Sequence, residues 1–134
     1  MYQTVIEPRV SETDGIGHIN NTTVPIWFEA GRNEIFKLFT PDDNFANWRM
    51  IILNMNVDYV QQIYFGTPVH IFIWVKKLGN SSLQLYEEMW QSGRLCAKDT
   101  VTYVNFNVQT QMSESISGSI REELEKHYKE QDER

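Results

Sequence analysis

The 134-residue chain is 41% hydrophobic and 13% aromatic, enough apolar material for one packed core, and it reads as a single domain over residues 1–134. Its formal charge of −6 opposes the broad basic face that nucleic acid needs, and a lone cysteine, Cys96, excludes an internal disulfide or a cysteine-based zinc cluster. No stretch approaches the roughly 20 apolar residues of a membrane span and no signal-peptide run follows Met1, so a cytoplasmic location is expected.

A first strand is expected over residues 4–10, followed by a Gly-containing loop. From Val24 the apolar positions fall at Val24, Trp27, Phe28, Gly31, Ile35 and Leu38, the one-sided stripe of a long helix that ends near Thr40 and Pro41. Asn21 or Thr22 is placed to cap it, and Gly31 on its buried stripe permits a close approach. The period then changes to two. Ile51, Leu53, Met55, Val57 and Tyr59 mark one half-buried strand, and Val69, Ile71, Ile73 and Val75 mark the next. After a turn at residues 78–81, Leu83, Leu85 and Met89 point inward from a third strand, and Ser92-Gly93 turns into a fourth over residues 95–108. Ser119 and Glu122 read as a capping box opening a short helix with Ile120, Leu124 and Tyr128 on one side, and the charged tail, residues 129–134, is expected to fray. The result is an α+β fold, a long helix lying across a curved antiparallel sheet of about five strands. On the opposite face Phe72, Trp74, Tyr86 and Trp90 form an aromatic row, which another copy of the chain or the C-terminal helix would cover.

Residues 11–32 carry the chemistry. Asp14, His18, Asn20 and Asn21 crowd into a loop that runs straight into the helix, whose first N–H groups have no intrahelical acceptor. A carboxylate next to such donors suits acyl transfer, which needs a nucleophile or base and a donor for the carbonyl oxygen. His18, His70 and His127 are widely spaced without an HExxH pattern, and no GxSxG elbow is present, so no metal, no cofactor and no serine nucleophile are expected. Read as isolated residues, each has a plainer role. Asp14 suits an Asx turn, His18 a loop contact, Asn20 and Asn21 helix caps, and Glu29 and Arg32 a pairing with each other or with a neighbouring loop. Lys76, Lys77 and Arg94 are strand-end charges, and Trp27 and Trp48 are core residues.

The run from Arg9 through Asp14, Gly15, Ile16, Gly17, His18, Ile19, Asn20 and Asn21, followed by Trp27, Phe28, Glu29, Ala30, Gly31 and Arg32, resembles the signature of the 4-hydroxybenzoyl-CoA thioesterase family in its GHVNN-type branch. Weaker similarity continues through Asn56 to Tyr59, Gly66 to Val69, Leu78 to Ser82 and Gly93 to Ala97. The resemblance implies a hotdog fold, an acyl-CoA thioesterase, and a homodimer, extending to a tetramer, with active sites at the subunit interface. It places Asp14 as nucleophile or general base, the Asn21 backbone N–H as the group polarising the carbonyl, and His18 as a third catalytic residue. Asn20, Tyr59, Gly79, Asn80, Ser81 and Ser82 become substrate-binding candidates, and Lys76, Lys77 and Arg94 candidates for the phosphates of coenzyme A. Glu12 stands where an aspartate is common and is not expected to be catalytic. The carrier is coenzyme A or an acyl carrier protein. The rival readings are a hotdog hydratase or dehydratase, whose loop pattern Ile16-Gly17 does not fit, and a non-catalytic acyl-thioester binding module.

Overall fold

Period-two patterning builds one antiparallel sheet in the computed structural model, which describes residues 1–130. Its strands are β1 (Tyr2–Ile6), β2 (Met50–Tyr59), β3 (Val69–Leu78), β4 (Ser82–Gln91), β5 (Arg94–Asn107) and the short β6 (Met112–Ser113). The spatial order is β1-β3-β4-β5-β2, with β6 added to β5, and the sheet curls into a half-barrel. Val69, Ile71, Ile73 and Val75 on β3 and Leu83, Leu85 and Met89 on β4 are buried on the concave face. Ser92 and Gly93, at φ 52° and 74°, supply the two left-handed residues that a two-residue hairpin between β4 and β5 favours. On the convex face the aromatic row is half-buried. The Trp74 ring lies 6.2 Å from Phe72 and 5.9 Å from Tyr86, and Lys129 Nζ sits 4.2 Å above it.

The expected long helix is two short ones, α1 (Thr23–Ala30) and α2 (Asn33–Phe39), joined at Gly31 and Arg32. Arg32, at φ −93° and ψ 3°, leaves helical geometry as its side chain turns into the core. Gly31 does allow close approach: a Cβ there would stand 3.0 Å from Ile73 Cδ1 and 3.1 Å from Ile71 Cγ2. The expected side-chain cap from Asn21 or Thr22 is not made: Thr22 takes the N-cap position without a capping bond, and Asn20 Oδ1 instead accepts from the Thr22 N–H and hydroxyl at 2.9 and 2.8 Å. Phe28 and Ile35 carry the helical stripe fully into the core.

Other boundaries move for local reasons. β1 ends at Ile6 rather than at residue 10, because a 3-10 turn at Val10–Glu12 follows, closed by the Arg9 N–H donating to Glu12 Oε1 at 2.7 Å. β2 does not keep the expected alternation. A register shift between Ile52 and Asn54 interrupts its pairing with β5, and as an edge strand it leaves Ile51, Ile52, Leu53 and Tyr59 exposed. A third helix, α3 (Gly118–Glu125), opens at Ser117, whose hydroxyl accepts from the Ile120 N–H, and not at Ser119. Leu124 buries it against the core, whereas Tyr128 is exposed. Of the tail expected to fray, Lys129 is held by its N–H to the Val75 carbonyl at 3.1 Å, and residues 131–134 lie outside the described residues. No described helix is long and apolar enough to cross a membrane.

Candidate active site

The loop between β1 and α1 is a narrow double-back. Thr13 pairs with Ile19, and the Asp14 N–H donates to the His18 carbonyl at 2.8 Å, with Gly15 and Gly17 at φ +95° and +89° making the reversal possible. The Asp14 carboxylate is split in function. Its Oδ1 accepts from the Ile16 N–H at 3.1 Å, the Asx turn read from the sequence, and its Oδ2 faces His18 Nδ1 at 3.7 Å. The two side chains are 36% and 31% exposed, open to solvent yet beside each other. His18 is itself pinned, pairing with Tyr64 through the backbone and meeting its ring edge-on at 5.0 Å.

Glu12 holds this loop to the helix. Its carboxylate accepts from Trp27 Nε1 at 2.9 Å, and its carbonyl accepts from the Asn20 N–H at 2.8 Å. Burial pushes the Glu12 carboxyl upward, but the Trp27 and Arg9 donors outweigh that and hold it below the usual carboxylate range. Glu12 is a scaffold residue, and Trp27 is buried in the core with its one polar atom satisfied.

Asn21 lies at the mouth of a cavity of about 340 Å³ whose lining includes Val24, Tyr59, Gln61, Ile63 and Cys96. Tyr59 Oη donates to the Asn21 carbonyl at 2.9 Å, fixing the peptide just ahead of α1. The Asn21 N–H donates to no acceptor among the described residues, whereas its neighbours Asn20 and Thr22 both do. Burial raises the Cys96 thiol and so disfavours the thiolate a cysteine nucleophile would need. Arg94 reaches the rim, donating to Gln61 Oε1 at 2.8 Å. Asp14 and His18 stand together on the loop and do not line this cavity. Among the described residues no three His, Cys, Asp or Glu side chains converge as metal ligands.

The remaining binding candidates lie elsewhere. Gly79, Asn80, Ser81 and Ser82 form the turn at the far end of β3, ten residues or about 30 Å along the strand from the end near His18. There they hold the chain's own C-terminal segment. Arg121 donates to the Gly79 carbonyl at 2.9 Å, the Ile116 N–H to the Asn80 carbonyl, the Ser115 hydroxyl to the Asn80 side chain, and the Asn105 N–H to the Ser81 carbonyl. The Ser82 carbonyl closes the turn by accepting from the Gly79 N–H. Within one chain they do not meet Asp14.

The expected Glu29–Arg32 pair is absent. Arg32, 1% exposed, instead donates through Nε and Nη2 to the two Glu87 oxygens, each at 2.7 Å, to Asp99 Oδ2 at 3.2 Å, and to Tyr103 Oη at 3.0 Å. Burial, then the neighbouring Glu87 carboxylate, pushes the Asp99 carboxyl up to about 9 despite the guanidinium. Asp99 Oδ1 has no hydrogen-bond partner. The signal was in the pattern: Glu87 shares its parity with Leu85 and Met89, and Asp99 with Ala97 and Val101.

The family model described as the thioesterase-like superfamily matches residues 8–124. The chain is 56% identical to a predicted thioesterase from Bacillus stearothermophilus of known structure, covering 98% of each chain at a TM-score of 0.92. A Thermus thermophilus thioesterase solved with coenzyme A and Zn shares the fold at 24% identity and a TM-score of 0.80, over 92% of this chain and 91% of that one. An uncharacterized protein of Bacillus subtilis, YsmA, is 31% identical over 81 residues; the match spans 60% of this chain and 55% of that relative's length. The match is to the superfamily as a whole, coarser than the branch that the loop motif resembles.

Proposed function

Since the chain belongs to the thioesterase-like superfamily, we propose that it hydrolyses an acyl-CoA thioester to the free acid and coenzyme A. The observation that carries this reading is the unpartnered Asn21 N–H at a cavity mouth directly ahead of a helix N-terminus, on a residue whose carbonyl accepts from the Tyr59 hydroxyl. A donor so placed stabilises the negative charge that develops on a thioester carbonyl oxygen under attack. Asp14 supplies the attack. As base it takes a proton from water, whose oxygen bonds to the carbonyl carbon; as nucleophile its Oδ2 forms a mixed anhydride that water then opens. In either route the carbon–sulfur bond breaks and the thiolate leaves, to be protonated as coenzyme A. His18 orients the carboxylate from 3.7 Å.

The active unit is a homodimer joined along β2. This edge strand of ten residues exposes Ile51, Ile52 and Leu53 and offers unpaired backbone groups, a surface that a second copy covers. A two-fold pairing of β2 edges runs the two strands antiparallel. Because Met50 pairs with Asn105, and Ser82 with Val104, the residue 79–82 turn lies at the Met50 end, which the symmetry sets level with the partner's Tyr59 and Asn21 end. This supports a site completed by both copies, with Asn80 and the nearby Lys76 and Lys77 facing the coenzyme. Stacking of two such dimers through the convex aromatic row would give the tetramer.

The test of the carbonyl-polarising role compares two substitutions at one position. Asn21→Ala retains the N–H and is expected to keep turnover within about threefold of the parent, whereas Asn21→Pro deletes it and is expected to cost a hundredfold or more, on the order of one oxyanion-hole donor. A folded Asn21→Pro protein with parental turnover would rule the role out. Light scattering that returned a monomer mass would remove the shared site as well.

A further inference from the structure

Gln91 is a buried amide that takes no part among the reacting groups. It is the last residue of β4, shares the inward parity of Glu87 and Met89, and is 2% exposed. A primary amide carries both donors and an acceptor, and burying it costs free energy unless they find partners. Gln91 directs all of them at one stretch of loop. Its Oε1 accepts from the Tyr64 N–H at 2.9 Å, and its Nε2 donates to the Tyr64 carbonyl at 2.7 Å and to the Thr67 carbonyl at 2.9 Å. Residue 64 thus receives from one side chain the pair of bonds that a neighbouring strand would make.

The other side of that stretch carries the loop of Asp14 and His18. Residues 63–65 run antiparallel to residues 17–19, with the Ile19 N–H donating to the Ile63 carbonyl at 2.8 Å, the Phe65 N–H to the Gly17 carbonyl at 2.9 Å, and His18 opposite Tyr64. Peptide groups alternate in direction along extended chain, so the Tyr64 N–H and carbonyl turn away from His18 and meet Gln91. The His18 carbonyl in turn accepts from the Asp14 N–H at 2.8 Å. A continuous ladder therefore runs from β4, itself paired on both sides by β3 and β5, through Gln91 and Tyr64 to His18 and Asp14. Among the described residues no other side chain bonds to the backbone of residues 63–67.

Resting on the thioesterase reading, we propose that Gln91 is a positioning residue for that reaction, fixing the level at which the loop presents Asp14 and His18 to the thioester. Gln91 does not line the cavity at Asn21, so its loss leaves substrate binding in place. Misplacing the attacking group by about 1 Å costs on the order of a hundredfold in rate, so the effect falls on kcat rather than on KM. The demand is for an amide. Methionine fills the same volume and makes none of the three bonds, and a carboxylate keeps the acceptor for the Tyr64 N–H but loses both donors.

The experiment measures thiol release from acetyl-, butanoyl-, octanoyl- and dodecanoyl-CoA by the intact protein, Gln91→Met, Gln91→Glu and Ile35→Ala, alongside residue-resolved amide hydrogen exchange. Ile35→Ala hollows the core from α2 and serves as the destabilised control. On the best substrate, both Gln91 variants are expected to lose at least about tenfold in kcat with KM within about threefold, while Ile35→Ala keeps both within about threefold. Exchange at Ile19 and Phe65 should quicken at least about tenfold in the Gln91 variants, with Ile71 and Ile73 on β3 unchanged. Parental kcat in a folded Gln91 variant, or an equal loss in Ile35→Ala, would overturn the proposal. If neither Gln91 variant folds, exchange in the intact protein decides: a Tyr64 amide protected together with Ile19 and Phe65 sustains it, and one exchanging like open chain overturns it. If no thioester is hydrolysed, the thioesterase reading falls and exchange in the variants decides whether Gln91 holds the loop, quickened exchange at Ile19 and Phe65 sustaining that and unchanged exchange overturning it.

Discussion

The loop at Asp14 and the cluster at Arg32 are two polar places in this molecule built on opposite principles. The loop puts its carboxylates and its histidine on backbone reversals near the surface: Asp14 accepts from the Ile16 N–H and faces His18 at 3.7 Å, and Glu12 accepts from Arg9 and Trp27. The cluster places a guanidinium and two carboxyl groups, all at most 2% exposed, at the seam of α1, α2, β4 and β5. Chemistry needs a group that substrate and water can reach, so the loop suits catalysis. The cluster is almost wholly withdrawn from water and acts on geometry: Arg32, at the corner between α1 and α2, ties that corner to Glu87 on β4 and Asp99 on β5. The strongly shifted carboxyl of Asp99 therefore marks structure here, although perturbed groups often mark active sites.

Arg32→Met tests that division with the largest expected effect. The methionine keeps volume and removes the charge, leaving Glu87 buried without its partner, and a loss of about 3–5 kcal/mol in a denaturant titration is expected. The double variant Arg32→Met/Glu87→Leu removes both charges and should recover much of that loss, since a buried ion pair is weak net evidence for stability. Asp14→Asn makes the opposite split. Turnover is expected to fall at least about a hundredfold, while the melting temperature stays near the parent's because the amide oxygen still accepts from the Ile16 N–H. An Asp14→Asn protein that turns over normally would reduce Asp14 to an Asx-turn residue.

How each region was written in the sequence differs in the same way. The loop is contiguous, so Asp14, His18 and Asn21 could be read directly, and the Asx turn at Ile16 follows from local spacing. The strands were legible because burial alternates along β3 as far as Val75 and along the whole of β4. The helix break was not, since the apolar stripe runs unbroken through Gly31 and the cause lies in contacts 55 and 67 positions away, at Glu87 and Asp99. Likewise the exposure of Leu53 depends on a shifted register with β5, which no local pattern of β2 reveals. The residue 79–82 turn matched its motif and still bonds to its own C-terminal segment, because a motif specifies a turn without saying what packs on it.

The two regions also predict opposite responses to pH, beginning with the core. Burial and Glu87 raise the Asp99 carboxyl to about 9, so the folded state holds a proton that the unfolded chain releases near pH 4. The associated stability is fully present below about pH 4 and is lost as pH rises towards 9. Asp99→Asn carries no such proton, so its stability measured from pH 5 to 9 should decline less than the parent's, with the gap in its favour widening at alkaline pH. A gap that stayed constant from pH 5 to 9 would show that Asp99 is ionised in the fold.

Glu12 supplies the counterpart on the loop, with the smallest effect. The Trp27 and Arg9 donors hold its carboxyl below the ordinary value even though partial burial works the other way. A depressed carboxyl contributes stability above its unfolded pKa of about 4.3 and loses that contribution as pH falls through the folded value. Glu12→Gln keeps an oxygen that can accept from Trp27 Nε1 at the 2.9 Å position but gives up the charge, so the expected cost at pH 7 is only about 1 kcal/mol. That cost should shrink on acidification, the reverse of what Asp99→Asn does on the alkaline side. Chemical denaturation of both variants between pH 3 and 9 reads the two trends in one series. If Glu12→Gln cost the same at pH 3 as at pH 7, the bond to Trp27 would owe nothing to charge, and the loop would be held by its backbone bonds alone, from the Asn20 N–H to the Glu12 carbonyl and from the Asp14 N–H to His18.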